Sequence, residues 1–146
     1  MKPALSRLLV SIALACAASL PPAASAGPVG DDDARSIRAV IAAQFEAFAQ
    51  DDAERAFQTA TPAVREAIGS PGMFLALVRG AYPMVYHPST VTFHKPEEDR
   101  GTVMQLVEIT DDDAKSWIAL FAMERQPDAS WRISGCAVAE NPWRAI

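Results

Sequence analysis

Glu108 and Glu124 each fall in an otherwise apolar, strand-like run, a setting in which a carboxylate is costly. Burial raises a carboxyl pKa toward neutrality, so either residue is a candidate general acid or base. For Glu124 there is a simpler account. Counting across the turn Gln126 to Ser130 sets it opposite or next to Arg132, as a cross-strand ion pair would require.

Other chemistries find less support. His87 and His94 are seven apart, which puts them on opposite faces of a regular strand. No HxH, HExxH or CxxC pairing supplies the ligands of a zinc site. Asp111-Asp112-Asp113 lacks the spaced acidic residues, central Gly and closing Glu of a calcium loop, and reads as a solvated hairpin tip. A metal is not expected, and no cofactor is implied. Cys136 lies in the small-residue strand pattern Ser134-Gly135-Cys136-Ala137-Val138, away from any strained nucleophile turn, and is expected to be buried and inert.

The elements that must position these residues fall into two groups. Ile37, Val40, Ile41, Phe45 and Phe48 form a stripe along one side of a helix. Asp31 to Asp33 precede it, favouring its positive end and able to cap its amides. A short helix is expected over Asp52 to Ala60. Thr61-Pro62 and Ser70-Pro71 are two further start signals, the second opening Phe74, Leu77, Val78 and Ala81 until Gly80 and Pro83 stop it.

After Pro83 the period changes. Four strands are expected, near Val85 to His94, Thr102 to Thr110, Lys115 to Arg125 and Trp131 to Val138. The short connections favour an antiparallel meander. The third strand is apolar on both faces, with Trp117, Ala119, Phe121 and Met123 alternating with Ile118, Leu120 and Ala122. Helices covering one face leave the other free to meet a second copy, so a homodimer through the outer sheet face is expected.

The N-terminus is read as an export signal. Lys2 and Arg7 precede the apolar run Leu8 to Ala18, then come Pro21-Pro22 and Ala24-Ser25-Ala26 before Gly27. The 11 residues between Arg7 and Ser19 are too few to span a bilayer, which needs about 20 apolar residues, so no membrane span is expected. Acylation at Cys16 is the rival reading, although Ala13 stands where a large aliphatic is normally required.

Cleavage after Ala26 leaves a single domain, residues 27–146, in the periplasm or secreted. It would carry 11 basic and 18 acidic residues and Cys136 as its lone thiol. The full 146 residues have a net charge of −5, and no cluster of four basic residues occurs, so nucleic acid is not an expected partner.

Three strings carry a family likeness: Ile37-Arg38-Ala39-Val40-Ile41 with Gln44 and Phe45; Gly80-Ala81-Tyr82-Pro83-Met84-Val85-Tyr86-His87-Pro88; and Glu124-Arg125-Gln126-Pro127-Asp128-Ala129-Ser130-Trp131-Arg132-Ile133-Ser134-Gly135-Cys136. Over nearly the whole exported part the chain resembles DUF4864, a bacterial family of exported domains of unknown function. Ala129 departs from it where Gly is expected after Pro-Asp, and His87 where similar sequences carry Arg.

The element order also resembles the cone-shaped α+β fold of the nuclear-transport-factor-like, or cystatin-like, superfamily. That likeness implies N-terminal helices packed on a curved four-stranded antiparallel sheet. Isomerases and dehydratases of this superfamily place a carboxylate and a tyrosine in an apolar cavity, for which Tyr82 and Tyr86 would be the hydroxyl donors here.

A sheet bent in this way leaves a hollow unless large side chains fill it. Phe74, Tyr82, Tyr86, Phe93, Trp117 and Trp131 are the aromatics available to line one. Arg79, Tyr82, Tyr86 and Trp117 are the candidate ligand-binding residues, and Arg79 with the tyrosines would favour a small anion at the mouth of an otherwise apolar site. The expected function is a non-catalytic module that binds a small anionic or apolar ligand or another protein. The alternative is a small isomerase or hydro-lyase using Glu108 or Glu124.

Overall fold

The computed structural model describes residues 28–144. The expected export signal, including Cys16, lies outside the described residues. Five helices precede five strands: α1 (Asp31–Ala49), α2 (Ala53–Gln58), α3 (Pro62–Ile68), α4 (Pro71–Ala81), α5 (Pro83–Tyr86), then β1 (Thr90–Phe93), β2 (Glu97–Asp99), β3 (Thr102–Thr110), β4 (Ser116–Arg125) and β5 (Trp131–Glu140). The expected α+β class stands, with helices packed on an antiparallel open sheet.

The helical stripe of α1 is the floor of the core. Ile37, Ile41, Phe45 and Phe48 are buried, and Gln44 is buried beside them. Gln44 donates from Nε2 to Thr59 Oγ1 at 2.9 Å, and Thr59 donates to the Ala56 carbonyl at 2.6 Å. A buried amide is thereby satisfied while α1 is tied to the end of α2. Asp31 to Asp33 form the first turn of α1 and do not cap it. The cap is Gly30, which has no side chain to offer, so the carboxylates act through the helix dipole.

The two expected hydroxyl caps are in place. Thr61 Oγ1 accepts from Val64 N at 3.3 Å, and Ser70 Oγ accepts from Met73 N at 3.2 Å, each with proline in the first turn. Gly69, at φ 99°, closes α3 in a conformation that a side chain resists. Gly80, expected to stop α4, lies inside it, and the helix ends at Ala81 ahead of Pro83.

Val85 and Tyr86 were expected to open the first strand and instead form the helical turn α5. Pro83 at its first position fixes a helical φ, and both side chains are buried in the helical layer. The strand starts only at Thr90, beyond Pro88. A second departure is β2, which lies inside the expected loop at 95–101. It pairs with the start of β3 through a tight turn in which Arg100 and Gly101 both have positive φ, at 52° and 80°. Its sequence Glu-Glu-Asp has no strand signature, and it is held by the hairpin and by an antiparallel bridge between Glu97 and Pro28.

The sheet runs β1-β3-β4-β5, with β2 also on β3 and every pair antiparallel. On its inner face Val103, Gln105 and Val107 stand opposite Met123, Phe121 and Ala119, and all six are buried. Phe45 of α1 meets Phe121 edge-on at 6.1 Å, which locates the helices on this face. Among the described residues no helix lies on the outer face, and Leu120 there is 36% exposed.

An irregularity at Ala122/Met123 rephases β5. Strand β5 also joins the helical layer. Thr61 N donates to the Ile133 carbonyl at 2.9 Å, and Ile133 N donates to the Thr59 carbonyl at 2.8 Å.

Candidate functional site

Between the helices and strands β4 and β5 lies a cavity of about 230 Å³. Phe48 and Gln44 of α1 form one wall, and Phe74, Leu77 and Val78 of α4 another. Val64 and Ile68 of α3 and Tyr82 and Val85 near α5 extend it, and Phe121, Ile133, Cys136 and Val138 form the sheet side. Among the described residues its only polar side chains are those of Gln44, Tyr82 and Cys136, and no charged residue lines it. Leu77 is half exposed.

Cys136 pairs across the strands with Phe121, so its side chain shares the inner face. The expectation that it is buried is corrected: Cys136 is exposed, on the edge strand beside the cavity. The apolar surroundings still desolvate the thiol and push its pKa up to about 12, so it is neutral at ordinary pH.

Of the four expected ligand-binding residues, Tyr82 alone lines this cavity. Arg79 and Tyr86 converge elsewhere, on Asp51 in the α1–α2 connection. The Asp51 carboxylate accepts from Arg79 Nη2 and from the Tyr86 hydroxyl. The Arg79 guanidinium lies over the Tyr86 ring at 4.9 Å, and Phe48 stacks on the same ring at 5.9 Å. The chain's own carboxylate thus occupies the cation and phenol expected to receive an anion. Trp117 sits at another end of the sheet, where its Nε1 donates to Asp111 Oδ2 at 2.8 Å. That bond is the chief reason the Asp111 carboxyl lies below its usual range.

The two candidate carboxylates are both away from the cavity. Glu108 is on the outer face, with its Oε1 3.4 Å from His94 Nε2. Glu124 is exposed and directly opposite Arg132, as the turn count implies. The two form no ion pair; Arg132 Nη1 donates instead to the Trp131 carbonyl at 2.7 Å. The carboxylate–tyrosine pair of an isomerase is therefore not assembled in this hollow.

Gln44 and Cys136 are the site residues that sequence reasoning did not assign to a site. A glutamine within an apolar helical stripe is the signal that was available, since it must find a buried partner. Among the described residues no three His, Cys, Asp or Glu side chains converge as a metal centre requires, and no helix is long and apolar enough to cross a membrane.

A comparison with curated proteins found none that matches. The family described as Domain of unknown function (DUF4864) matches residues 30–146, which takes in every helix and strand and all the cavity's walls, and the chain belongs to that family.

Proposed function

We propose that this protein is an exported, non-catalytic module that holds a small apolar molecule between its helices and its sheet. The supporting observation is the cavity, about 230 Å³ in volume and lined without a single charged group. An apolar cavity of roughly 150 Å³ stays dry and takes up benzene, so the larger one here suits a bicyclic aromatic or a short acyl chain. Tyr82 and Gln44 offer the polar groups that would orient such a guest. The isomerase or hydro-lyase reading needs a carboxylate in the hollow, and its lining holds none.

The arrangement of helices on one face of an antiparallel sheet supports placing the chain in the nuclear-transport-factor-like superfamily. The small-residue site at Ala24-Ser25-Ala26 supports cleavage after Ala26 and residence in the periplasm or outside the cell. N-terminal sequencing of the protein recovered from its host tests this, and a chain starting at Gly27 is the expected result.

The binding test uses N-phenyl-1-naphthylamine, whose emission rises in apolar surroundings. A dissociation constant on the order of 10 µM is expected for a guest of this size. Cys136→Phe fills the hollow from the sheet side and should weaken binding at least tenfold while leaving the melting temperature near that of the native chain. Equal binding by both proteins would defeat the proposal.

A second reading concerns the outer sheet face. Met104, Leu106, Ile118, Leu120 and Ala122 form an apolar patch over which no helix of the described residues lies, which favours pairing with a second copy.

A further inference from the structure

Three cations of this acidic chain line one groove. A groove of about 390 Å³ runs between the first turns of α1 and the segment joining β1 to β2. Arg35, Arg38 and Lys95 line it with His94 and Phe93, against Asp31 as the only lining carboxylate. Arg35 is paired with Asp32. Among the described residues Arg38 and Lys95 have no ion pair, although most other cations there have one. Arg38 is held with its guanidinium over Phe93, 4.8 Å from the ring centroid. That contact fixes the position of the fork and leaves its N–H groups unused.

Arg65 and Arg132 also have no ion pair among the described residues; Arg38 and Lys95 differ from them in lining one groove together with a third cation, Arg35. We propose that the groove binds a phosphoryl group, with Arg38 taking two oxygens in bidentate fashion and Lys95 neutralising the second charge. A planar fork beside a point charge matches a tetrahedral dianion better than a single carboxylate. Asp31 narrows the range of ligands by repelling anions that extend toward the start of α1. The groove is separate from the apolar cavity and shares no lining residue with it.

The phosphoryl group could come from a free phosphate compound or from a lipid headgroup, and the test has an arm for each. Inorganic pyrophosphate is titrated calorimetrically at low and at physiological salt. In parallel, flotation is measured with vesicles of phosphatidic acid, whose phosphomonoester carries the second charge, in phosphatidylcholine and of phosphatidylcholine alone. The proteins compared are the native chain, Arg38→Gln with Lys95→Gln, and the control Arg100→Gln, which removes a fully exposed cation elsewhere.

Binding in either arm that falls at least tenfold in the double variant, and less than twofold in the control, supports the proposal and identifies the source. It should also weaken with salt. No binding in both arms, or equal loss in the control, overturns it. Circular dichroism of the double variant shows whether it is folded. If it is not, Lys95→Gln alone, on an exposed segment, must still lower affinity about threefold, and unchanged affinity there also overturns the proposal.

Discussion

At the residue scale the most consequential side chain is one whose sequence context gave no hint of a role. Asp51 adopts φ 55°, a left-handed conformation disfavoured for any residue with a side chain, and accepts from both Arg79 and Tyr86. Tyr86 is buried with its ring against Phe48, so its hydroxyl has few other partners. Tyr86→Phe keeps the stack and removes that bond. A loss of about 1 kcal/mol is expected, the lower end for a charged acceptor because the carboxylate is largely exposed, and urea denaturation measures it.

Cys136 makes the opposite point, since its chemistry follows from its surroundings more than from its identity. With the thiol pKa near 12, iodoacetamide at pH 8 should modify the folded chain at least about tenfold more slowly than a free thiol. The folded pKa is above the unfolded one, so the associated stability is present below pH 9 and fades as pH climbs toward 12. Cys136→Ser should flatten that part of a pH–stability curve.

At the element scale, legibility tracked how local the determinants are. The stripe from Ile37 to Phe48 and the hydroxyl–proline caps at Thr61 and Ser70 are written in residues a few positions apart, and all three helices formed where expected. The turn Gln126 to Ser130 was equally clear, although Ala129 pays for it with φ 69° where glycine would be relaxed. Ala129→Gly should therefore stabilise the hairpin by about 0.5 kcal/mol, read as a rise in melting temperature.

The errors arose where longer-range forces decide. Val85 and Tyr86 have strand-like side chains, yet their burial in the helical layer, with the Tyr86 ring stacked on Phe48, together with Pro83, draws them into a helical turn. Strand β2 pairs because of the Arg100-Gly101 turn and in spite of its three acidic residues. The cavity residues Gln44 and Cys136 come from α1 and β5, and only the completed sheet brings these elements together. Arg79 and Tyr86 were legible as a pair, but the carboxylate that claims them lies 28 and 35 positions upstream.

At the scale of the whole molecule the two faces of the sheet have different fates. The inner face is sealed by Phe45, Phe48 and their neighbours except at the hollow. The outer face exposes Leu120 within an apolar patch bounded by Glu108 with His94 and by Glu124 with Arg132. Self-association through that face would bury roughly 1,200 to 1,600 Å², the size of a standard specific interface. Sedimentation equilibrium should then show a dimer that Leu120→Lys converts to a monomer with an unchanged circular dichroism spectrum. A native chain that stays monomeric at 100 µM, by order of magnitude the upper limit for a weak specific pair, would exclude it.

The backbone bonds that fasten Ile133 to Thr59 and Thr61 reach only the first part of β5. Among the described residues no further backbone bond from the helical layer reaches the strand from Cys136 onward. Amyloid-like stacking or strand exchange between copies would start from this unguarded stretch, and a proline at a solvent-facing position there would be the most economical protection against it.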